Sequence, residues 1–358
     1  MLENNNIVVL GRRRAGKTSI IRTLVDHLDP KDAVGLDPTE RTSAHHIDSF
    51  LPLTFWDTPA HARSERSAPA NAHMADQTDL PWSEVCALIC VIDAQDDVFP
   101  SDSACIIVDA YEHNPNISFH IFAHKIDGHS DDYSSEITQG IKEGIDAEIE
   151  YFLETPSNFK RHYHLTSIYD SSIFVAFSRV LRELLKVNTF TEQLDDLCDK
   201  LNSTCSMERT YIFDIPNRIY LAADNSPSDG SSFATMSAYL TFLLQFSGIY
   251  SHLNDSIDPS TASGQANGGR DTHQMPTAGR YAYSTARLTK DISLAFWQLN
   301  NSLALVTMLR TDTMAKQAGL LEYNIAFFRR GVVDLYDLAQ LQGPVLSTVQ
   351  SAEVSVPH

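Results

Sequence analysis

The sequence predicts an α/β fold with a doubly wound, mostly parallel sheet, followed by a second domain of the antiparallel α+β class. A short apolar strand, a glycine-containing turn and an amphipathic helix follow one another at the start of the chain. Strand-like and helix-like segments then alternate as far as about residue 188, which is typical of parallel βαβ units. After about residue 190, short strands follow one another directly. We therefore expect one domain over residues 5–188 and another over residues 192–342.

The first domain begins with the apolar run Ile7–Leu10, which predicts a buried strand. Apolar residues recur at helical spacing from Ile20 to Leu28, so a helix is expected after the glycine turn. Residues 29–48 are polar and irregular and predict a loop, and the long connection over residues 58–81 is expected to be functional or mobile. The remaining strands are expected over residues 52–57, 85–92, 117–123 and 162–165, and the remaining helices over residues 101–113, 134–154 and 171–185.

The second domain is predicted to contain five strands and two helices. The strands are expected over residues 210–214, 218–222, 280–288, 292–298 and 303–309, and the helices around residues 233–244 and 320–341. Residues 254–278 are rich in Ser, Thr, Gly and Asn and have little apolar content, so we expect a disordered insertion there. We expect residues 343–358 to form a flexible tail.

The composition limits the classes of function. The 358 residues carry a formal net charge of −19, which argues against broad nucleic-acid binding and against direct adsorption on anionic lipid. The sequence has no run of 18 apolar residues, so no membrane-spanning helix is expected, and any residence at a membrane would depend on a partner. The five cysteines are odd in number and lie mostly in apolar stretches, so we interpret them as reduced core thiols.

The turn after the first strand fits the P-loop pattern G-x-x-x-x-G-K-[ST]. Backbone N–H groups of such a turn cradle phosphates, and the positive end of the following helix adds to the attraction. Lys17 is expected to reach the β- and γ-phosphates, and the Thr18 hydroxyl to bind Mg²⁺. The predicted phosphate-binding residues are Gly11, Arg13, Arg14, Ala15, Gly16, Lys17, Thr18 and Ser19.

The run His124-Lys125-Ile126-Asp127 directly follows the strand over residues 117–123 and matches the base-reading pattern [NTH]-K-x-D. A carboxylate at Asp127 can accept hydrogen bonds from N1–H and the exocyclic amine of guanine, a donor pair that adenine lacks. The stem of Lys125 would pack on the base. Backbone N–H groups of Ser167 and Ile168, after the next strand, are expected at the guanine O6. GTP and GDP are therefore the expected ligands.

A carboxylate at Asp57, at the end of its strand, can hold Mg²⁺ through water. A threonine of the preceding polar loop would complete the metal shell when a γ-phosphate is present, and we favour Thr39 over Thr42. The expected metal residues are thus Thr18, Thr39 and Asp57. The acids of the run over residues 93–97 could suggest another metal site, but we favour a role in capping the strand and starting the next helix.

Four segments together resemble the Rag GTPases. They are the P-loop, the base-reading run headed by His124, and the stretches over residues 91–97 and 165–170. The stretch over residues 91–97 and the residues 169–174 resemble the RagC/RagD side of the family more than RagA/RagB. In the second half, residues 213–214, 219–222, 225–227 and 323–325 resemble the family's C-terminal domain, so that the likeness extends over residues 5–342.

This resemblance implies a Ras-like G domain followed by a roadblock/longin-like α+β domain. It also implies an obligate heterodimer with a RagA/RagB-like GTPase, joined through the C-terminal domains. Such dimers sit on the lysosome or vacuole through a scaffold complex and relay amino-acid status to the TOR kinase complex, the RagC/RagD member signalling in its GDP state. A GTPase-activating protein is an expected further partner.

The second switch departs from the family pattern D-x-x-G followed by Gln. This chain has Ala60 and His61 at those two places. His61 is the candidate to orient the attacking water, and the alternative is a loop histidine with no catalytic role. Arg13 would crowd the space of an inserted arginine finger, which fits slow intrinsic hydrolysis. A GTP/GDP-binding scaffold with little hydrolysis is therefore one rival interpretation, and a P-loop kinase or ATPase is the other.

Overall fold

The computed structural model describes residues 5–47, 52–60, 80, 82–96, 101–128, 130–153, 160–185, 190–227, 230–254 and 281–342. His61, the tail over residues 343–358 and all but the first residue of the predicted insertion lie outside these ranges. The chain divides into two compact units, whose main segments are Met1–Leu194 for the first and Asp195–Arg218 with Ala223–Val332 for the second.

The N-terminal sheet has six strands in the order β2-β3-β1-β4-β5-β6. All its pairings are parallel except the pairing of β2 with β3. The strands are β1 (Asn6–Gly11), β2 (Ser43–Ile47), β3 (Leu53–Asp57), β4 (Val85–Asp93), β5 (Ser118–His124) and β6 (Arg161–Thr166), and the helices are α1 (Lys17–Val25), α2 (Ser101–His113), α3 (Asp131–Phe152) and α4 (Ser172–Leu185). The prediction of a mostly parallel, doubly wound α/β domain is confirmed.

The central strands of this sheet explain where a ligand site can form. β1 and β4 are almost continuously buried, as expected of parallel strands covered on both faces. Parallel β1, β4 and β5 have their carboxyl ends at the same edge of the sheet, which is the edge where such folds bind ligands. The P-loop, the run after β4 and the base-reading run all begin at that edge.

The expectation of a loop throughout residues 29–48 is wrong. A 3₁₀ turn spans Asp32–Gly35, and Ser43–Ile47 form β2 at the edge of the sheet. Only Ile47 of this strand is buried. An exposed edge strand has no apolar face to bury, so its sequence lacks the alternation that would have predicted it.

The C-terminal sheet has five strands in the order β8-β7-β11-β10-β9. β7 with β11, β11 with β10 and β10 with β9 all pair antiparallel, as predicted. The prediction of only two helices is wrong, because α5 and the short α7 are also present. The elements are α5 (Phe190–Cys205), β7 (Met207–Asp214), β8 (Ile219–Ala223), α6 (Gly230–Asn254), β9 (Tyr283–Arg287), β10 (Ile292–Gln298), β11 (Leu303–Arg310), α7 (Thr311–Lys316) and α8 (Ala318–Gln342).

Helices cover both faces of this second sheet. On one face, the rings of Tyr211 and Phe213 pack on Phe233 of α6, with centroids 5.6 and 5.7 Å apart. On the other face, Thr210 of β7 donates a hydrogen bond to Asn202 of α5. The α8 helix packs against α5, since Asn324 Nδ2 donates to Cys205 Sγ at 3.3 Å. The sheet therefore lies between α6 and the α5–α8 pair.

All five cysteines are free thiols, and three of them are buried. Burial raises the pKa of Cys90 to about 11 and that of Cys86 to about 12, so both are held as unreactive thiols. Within the described ranges, none of the helices has the length and apolar character needed to cross a membrane.

Candidate nucleotide and metal site

The turn between β1 and α1 requires glycine at both ends. Gly11 has a φ of +150°, and a Cβ there would lie 2.3 Å from the carbonyl oxygen of Val91. Gly16 caps the N-terminus of α1 with a φ of +102° in the left-handed region. The two glycines of the P-loop pattern are therefore fixed by backbone geometry and by the closeness of β4.

The residues between the two glycines differ in exposure. Arg13 and Arg14 are exposed and Ala15 is buried. Arg14 has a φ of +66°, which is uncommon for a residue other than glycine. Ser19 lies half-buried in the first turn of α1. A glycine turn that leads into a helix N-terminus is a favourable setting for phosphate, because backbone N–H groups there lack partners within the helix.

Lys17 is folded back over the turn. Its ammonium donates hydrogen bonds to the carbonyl oxygens of Gly11 at 2.9 Å and Arg12 at 3.2 Å. The side chain is buried, and this burial lowers the pKa of Lys17, against the opposing effect of the Asp57 carboxylate. A buried cation held by neutral carbonyls favours the approach of an anion.

Two hydroxyl groups and one carboxylate, from Thr18, Thr39 and Asp57, lie within hydrogen-bonding distance of one another. The Thr18 hydroxyl lies 2.7 Å from Asp57 Oδ2 and 2.7 Å from the Thr39 hydroxyl. The Thr39 hydroxyl lies 2.9 Å from the same carboxylate oxygen. Asp57 Oδ1 is buried and has no hydrogen-bond partner among the residues that the structure describes. Thr39 and Thr42 were the two candidates to complete the metal shell, and it is Thr39 that lies in this cluster.

This cluster fits a magnesium ion. Hydroxyl and carboxylate oxygens are the ligands that Mg²⁺ prefers, and a buried carboxylate oxygen without a partner needs a positive charge. With Mg²⁺ bound, Thr18, Thr39 and Asp57 would hold the ion directly or through water, and the ion would neutralise the charge of the β- and γ-phosphates. The three residues come from α1, from the loop before β2 and from β3, so the ion would join three separate segments.

His124 lies beneath the P-loop at the end of β5. Its Nδ1 is 3.0 Å from the Thr166 hydroxyl, and a Cβ on Gly16 would be 2.6 Å from its ring. Burial, followed by the charge of Lys125, lowers the pKa of His124 to about 4, although Asp93 and Asp127 oppose the shift. His124 is therefore a neutral ring that packs against Gly16 of the P-loop and bonds Thr166 at the end of β6.

Lys125 connects the base-reading run to its neighbours. Its ammonium donates to the carbonyl oxygen of Arg14 at 2.8 Å and to Asp93 Oδ2 at 2.5 Å. Its backbone has a φ of +67°. The side-chain stem is thus held along the P-loop, close to the place predicted for the base.

Asp127 and Ser167 are brought together from different strands. Asp127 is exposed, and its Oδ1 accepts a hydrogen bond from the Ser167 hydroxyl at 2.6 Å. The Ser167 N–H, which we expected at the guanine O6, donates to Ser172 Oγ at 2.8 Å. Ile168 follows, half-buried, on the same loop. The Ser167 hydroxyl therefore orients Asp127, a role that the sequence reasoning did not foresee.

The sequence reasoning also missed two contacts to Lys125, made by Asp93 at the end of β4 and by Gln95. Asp93 pairs with Lys125, and Gln95 Nε2 donates to the carbonyl oxygen of Lys125 at 3.0 Å. The available signal was positional, because β4 and β5 are parallel neighbours whose ends face each other at Asp93 and His124. Asp93 Oδ1 also accepts from the Gln95 N–H at 3.0 Å, which is the capping role that we favoured for this run.

A P-loop, a cluster of two hydroxyls and a carboxylate beside it, and the run His-Lys-x-Asp after β5 are the features expected of a P-loop nucleotide-binding protein of the G protein class. The comparison with protein families agrees. Residues 6–240 match the Gtr1/RagA G protein conserved region, which is more than half of the chain. The chain belongs to this family of GTPases, and it is a GTP-binding subunit of the Rag type.

The similar relatives lie on one side of the family. The chain is 31% identical to GTP-binding protein gtr2 of Schizosaccharomyces pombe, over 94% of this chain and 99% of that protein. It is 29% identical to human Ras-related GTP-binding protein C, over 93% of this chain and 77% of that protein. It is 25% identical to GTP-binding protein GTR2 of Saccharomyces cerevisiae, over 92% of both chains. The chain is therefore similar to Gtr2 and RagC.

Among solved structures, Myxococcus xanthus MglB overlaps 42% of this chain and 91% of its own chain. The identity is 12% and the TM-score is 0.29.

Proposed function

We propose that this chain is the guanine-nucleotide switch subunit of a Rag-type heterodimer that relays amino-acid status to the TOR kinase complex. The observation that carries the proposal is the meeting of Thr18, Thr39 and Asp57. Thr39 lies on a loop with few buried residues, and its hydroxyl is within 2.9 Å of groups on α1 and β3. A γ-phosphate with its Mg²⁺ would hold this loop in place, and GDP would release it.

In this proposal each predicted residue has a role. The P-loop backbone and Lys17 bind the phosphates, Lys125 packs beside the base, and Asp127 reads it. The proposed nucleotide-binding set is Gly11, Arg13, Arg14, Ala15, Gly16, Lys17, Thr18, Ser19, Thr39, His124, Lys125, Asp127, Ser167 and Ile168, with His124 and Ser167 acting by positioning their neighbours.

The proposed partner is a RagA/RagB-like GTPase, paired through a roadblock/longin-like domain over residues 192–342. We infer recruitment to the lysosomal or vacuolar membrane through a scaffold complex, because a chain of net charge −19 is poorly suited to bind anionic lipid itself. A GTPase-activating protein would complete the cycle. Family membership and the similarity to RagC and Gtr2 support these assignments.

The first test identifies the nucleotide. Mass spectrometry of nucleotide extracted from the purified protein should find GDP or GTP. A competition assay should show that GTP and GDP displace a fluorescent guanine nucleotide and that ATP does not. A preference for ATP would favour the rival P-loop kinase or ATPase and would contradict the assignment of Asp127.

The second test separates a switch that hydrolyses GTP from a scaffold that only binds it. Ala60 stands where the family pattern has glycine and the exposed Arg13 stands at the phosphate rim, so the scaffold remains the second candidate. If His61 orients water, His61→Ala should slow single-turnover hydrolysis on the order of 10-fold and leave GDP affinity unchanged. An unchanged rate, with and without an activating protein, would exclude His61 from catalysis.

A further inference from the structure

Asp93 at the end of β4 and Gln95 two residues later both contact Lys125 of the base-reading run. Asp93 Oδ2 lies 2.5 Å from the ammonium of Lys125. Gln95 Nε2 donates to the backbone carbonyl oxygen of Lys125 at 3.0 Å, and the Gln95 N–H is itself held by Asp93 Oδ1 at 3.0 Å. Asp93 and Gln95 thus support each other, and together they hold both the side chain and the backbone of Lys125.

Lys125 has a backbone conformation that needs such support. Its φ of +67° lies in the left-handed region, which is disfavoured for residues with a Cβ. Such conformations persist when several surrounding contacts enforce them. The contacts in this case are Gln95 on the carbonyl oxygen, and Asp93 and the Arg14 carbonyl oxygen on the ammonium.

The support extends to the turn that carries the base reader. Asp127 is the middle residue of the 3₁₀ turn Ile126–Gly128, which begins immediately after Lys125. At the far end of this turn, a Cβ on Gly128 would lie 3.2 Å from Gln95 Nε2. The Gln95 amide therefore lies against both ends of the turn, while the Ser167 hydroxyl contacts the Asp127 carboxylate itself.

We propose that Asp93 and Gln95 are positioning residues that fix the orientation of Asp127 and so set the selectivity of this protein for the 2-amino group of guanine. The inference rests on the proposed function, in that a guanine nucleotide is the ligand. In the proposed function, phosphate and metal binding depend on Lys17 and on the cluster of Thr18, Thr39 and Asp57. The Gln95 amide, in contrast, bonds the carbonyl oxygen of Lys125 in the base-reading run. Loss of the Gln95 amide should therefore reduce the selectivity for guanine and leave the effect of Mg²⁺ on nucleotide binding unchanged.

The test compares GDP with inosine diphosphate, which lacks only the 2-amino group. The full chain should bind GDP at least about tenfold more tightly, because one hydrogen bond to a carboxylate is lost with inosine. Gln95→Glu keeps the shape of the side chain but places an acceptor against the Lys125 carbonyl oxygen. This variant and Gln95→Ala should each lower the GDP-to-inosine-diphosphate ratio at least threefold and speed GDP release. The factor by which removal of Mg²⁺ speeds GDP release should stay at the wild-type value.

Gln139→Ala is the matched control, because Gln139 is an exposed glutamine on α3 whose amide bonds Glu143. It should leave the ratio at the wild-type value. Asp93→Asn, which removes the charge facing Lys125, is a second variant should Gln95→Glu fail to fold. A wild-type ratio in folded Gln95→Glu, or an equal loss of affinity for both nucleotides, would overturn the inference. A wild-type chain that binds neither nucleotide would instead overturn the proposed function.

Discussion

Asp127 is the residue on which the proposed choice of base depends. Its carboxylate is exposed and is oriented by the Ser167 hydroxyl. Asp127→Asn would place an amide NH₂ against the two donors of guanine, and an unpaired donor costs about 1–3 kcal/mol. Affinity for GTP should therefore fall roughly 10- to 100-fold, and xanthosine triphosphate, which offers an acceptor there, should bind better. The measurement is competition between the two nucleotides, with Asp26→Asn, at the residue directly after α1, as the control. Unchanged GTP affinity would remove Asp127 from the site.

A substitution at Gly16 would test how closely the P-loop packs against His124. Gly16→Ala would add a Cβ 2.6 Å from the His124 ring at a φ of +102°, so both sterics and backbone conformation oppose it. We expect a loss of more than about 2 kcal/mol in unfolding free energy and a marked loss of GDP affinity. Gly140→Ala is the control, because no described atom lies within 4 Å of a Cβ built at this site on α3. Alanine there should stabilise the chain by about 0.5–1 kcal/mol. Thermal unfolding with and without GDP measures both effects.

At the level of single elements, the sequence predicted what depends on apolar periodicity and on glycine. The buried strands β1 and β4 and the glycine turn were predictable because each carries its own signal. The polar edge strand β2 carries none. The α5 helix did carry one, since its buried positions Phe190, Leu194 and Cys198 recur every four residues. Because an interpretation of Cys198 as an isolated core thiol ignores this helical stripe, it does not predict α5.

Within the candidate site, the sequence predicted which residues lie at the ends of strands but not which side chains contact one another. The spacing of the motifs placed Thr18, Asp57 and Asp127 at one edge of the sheet, but spacing does not determine side-chain partners. The position of His124 under Gly16 and the Gln95 contact to Lys125 depend on how two neighbouring loops pack. Such contacts join residues far apart in sequence and leave no periodic pattern.

β5 and β6 carry a buried histidine cluster that makes stability depend on pH. His120 Nδ1 lies 3.2 Å from His164 Nε2, and the rings of His120 and His162 stack at 5.2 Å. The Ser118 hydroxyl on β5 contacts His120, and Arg179 and Glu183 of α4 face His164 and His162. Burial lowers the pKa of His164 to about 3 and that of His120 well below its ordinary value, so both are neutral in the folded chain.

In the unfolded chain, His120 and His164 become protonated near pH 6.5, whereas in the folded chain they become protonated only at much lower pH. Unfolding free energy should therefore fall as pH drops from about 6.5 towards 4, by up to about 1.4 kcal/mol per pH unit for each such histidine. His164→Gln should make this dependence shallower by about one proton. Urea unfolding between pH 7 and pH 4.5 measures the slope. His46→Gln, at an exposed position on β2, is the control and should leave it unchanged.

At the scale of the whole molecule, the second unit carries large aromatic side chains that are exposed in the described part of the chain. Phe242 and Phe246 of α6 stack on each other at 5.8 Å and are 58% and 48% exposed. Tyr323 and Phe327 of α8 are exposed as well. β9 lies at the end of the sheet, with β10 as its neighbour. Exposed edges and aromatic patches of this kind favour association with another chain.

We therefore predict that the heterodimer is made mostly by residues after about 190. A stable contact of this type would bury about 2,000 Å² or more. Residues 192–358 should still capture a RagA/RagB-like partner, whereas residues 1–188 should bind GDP but not pair tightly. Phe242→Asp with Phe246→Asp should weaken capture by the full chain at least about tenfold, since each change places a charge in an apolar contact. Tyr151→Asp, on α3 of the first unit, is the control, because Tyr151 is 82% exposed and should not affect capture. Capture by residues 1–188 alone, with none by the C-terminal part, would show that the first domain forms the dimer.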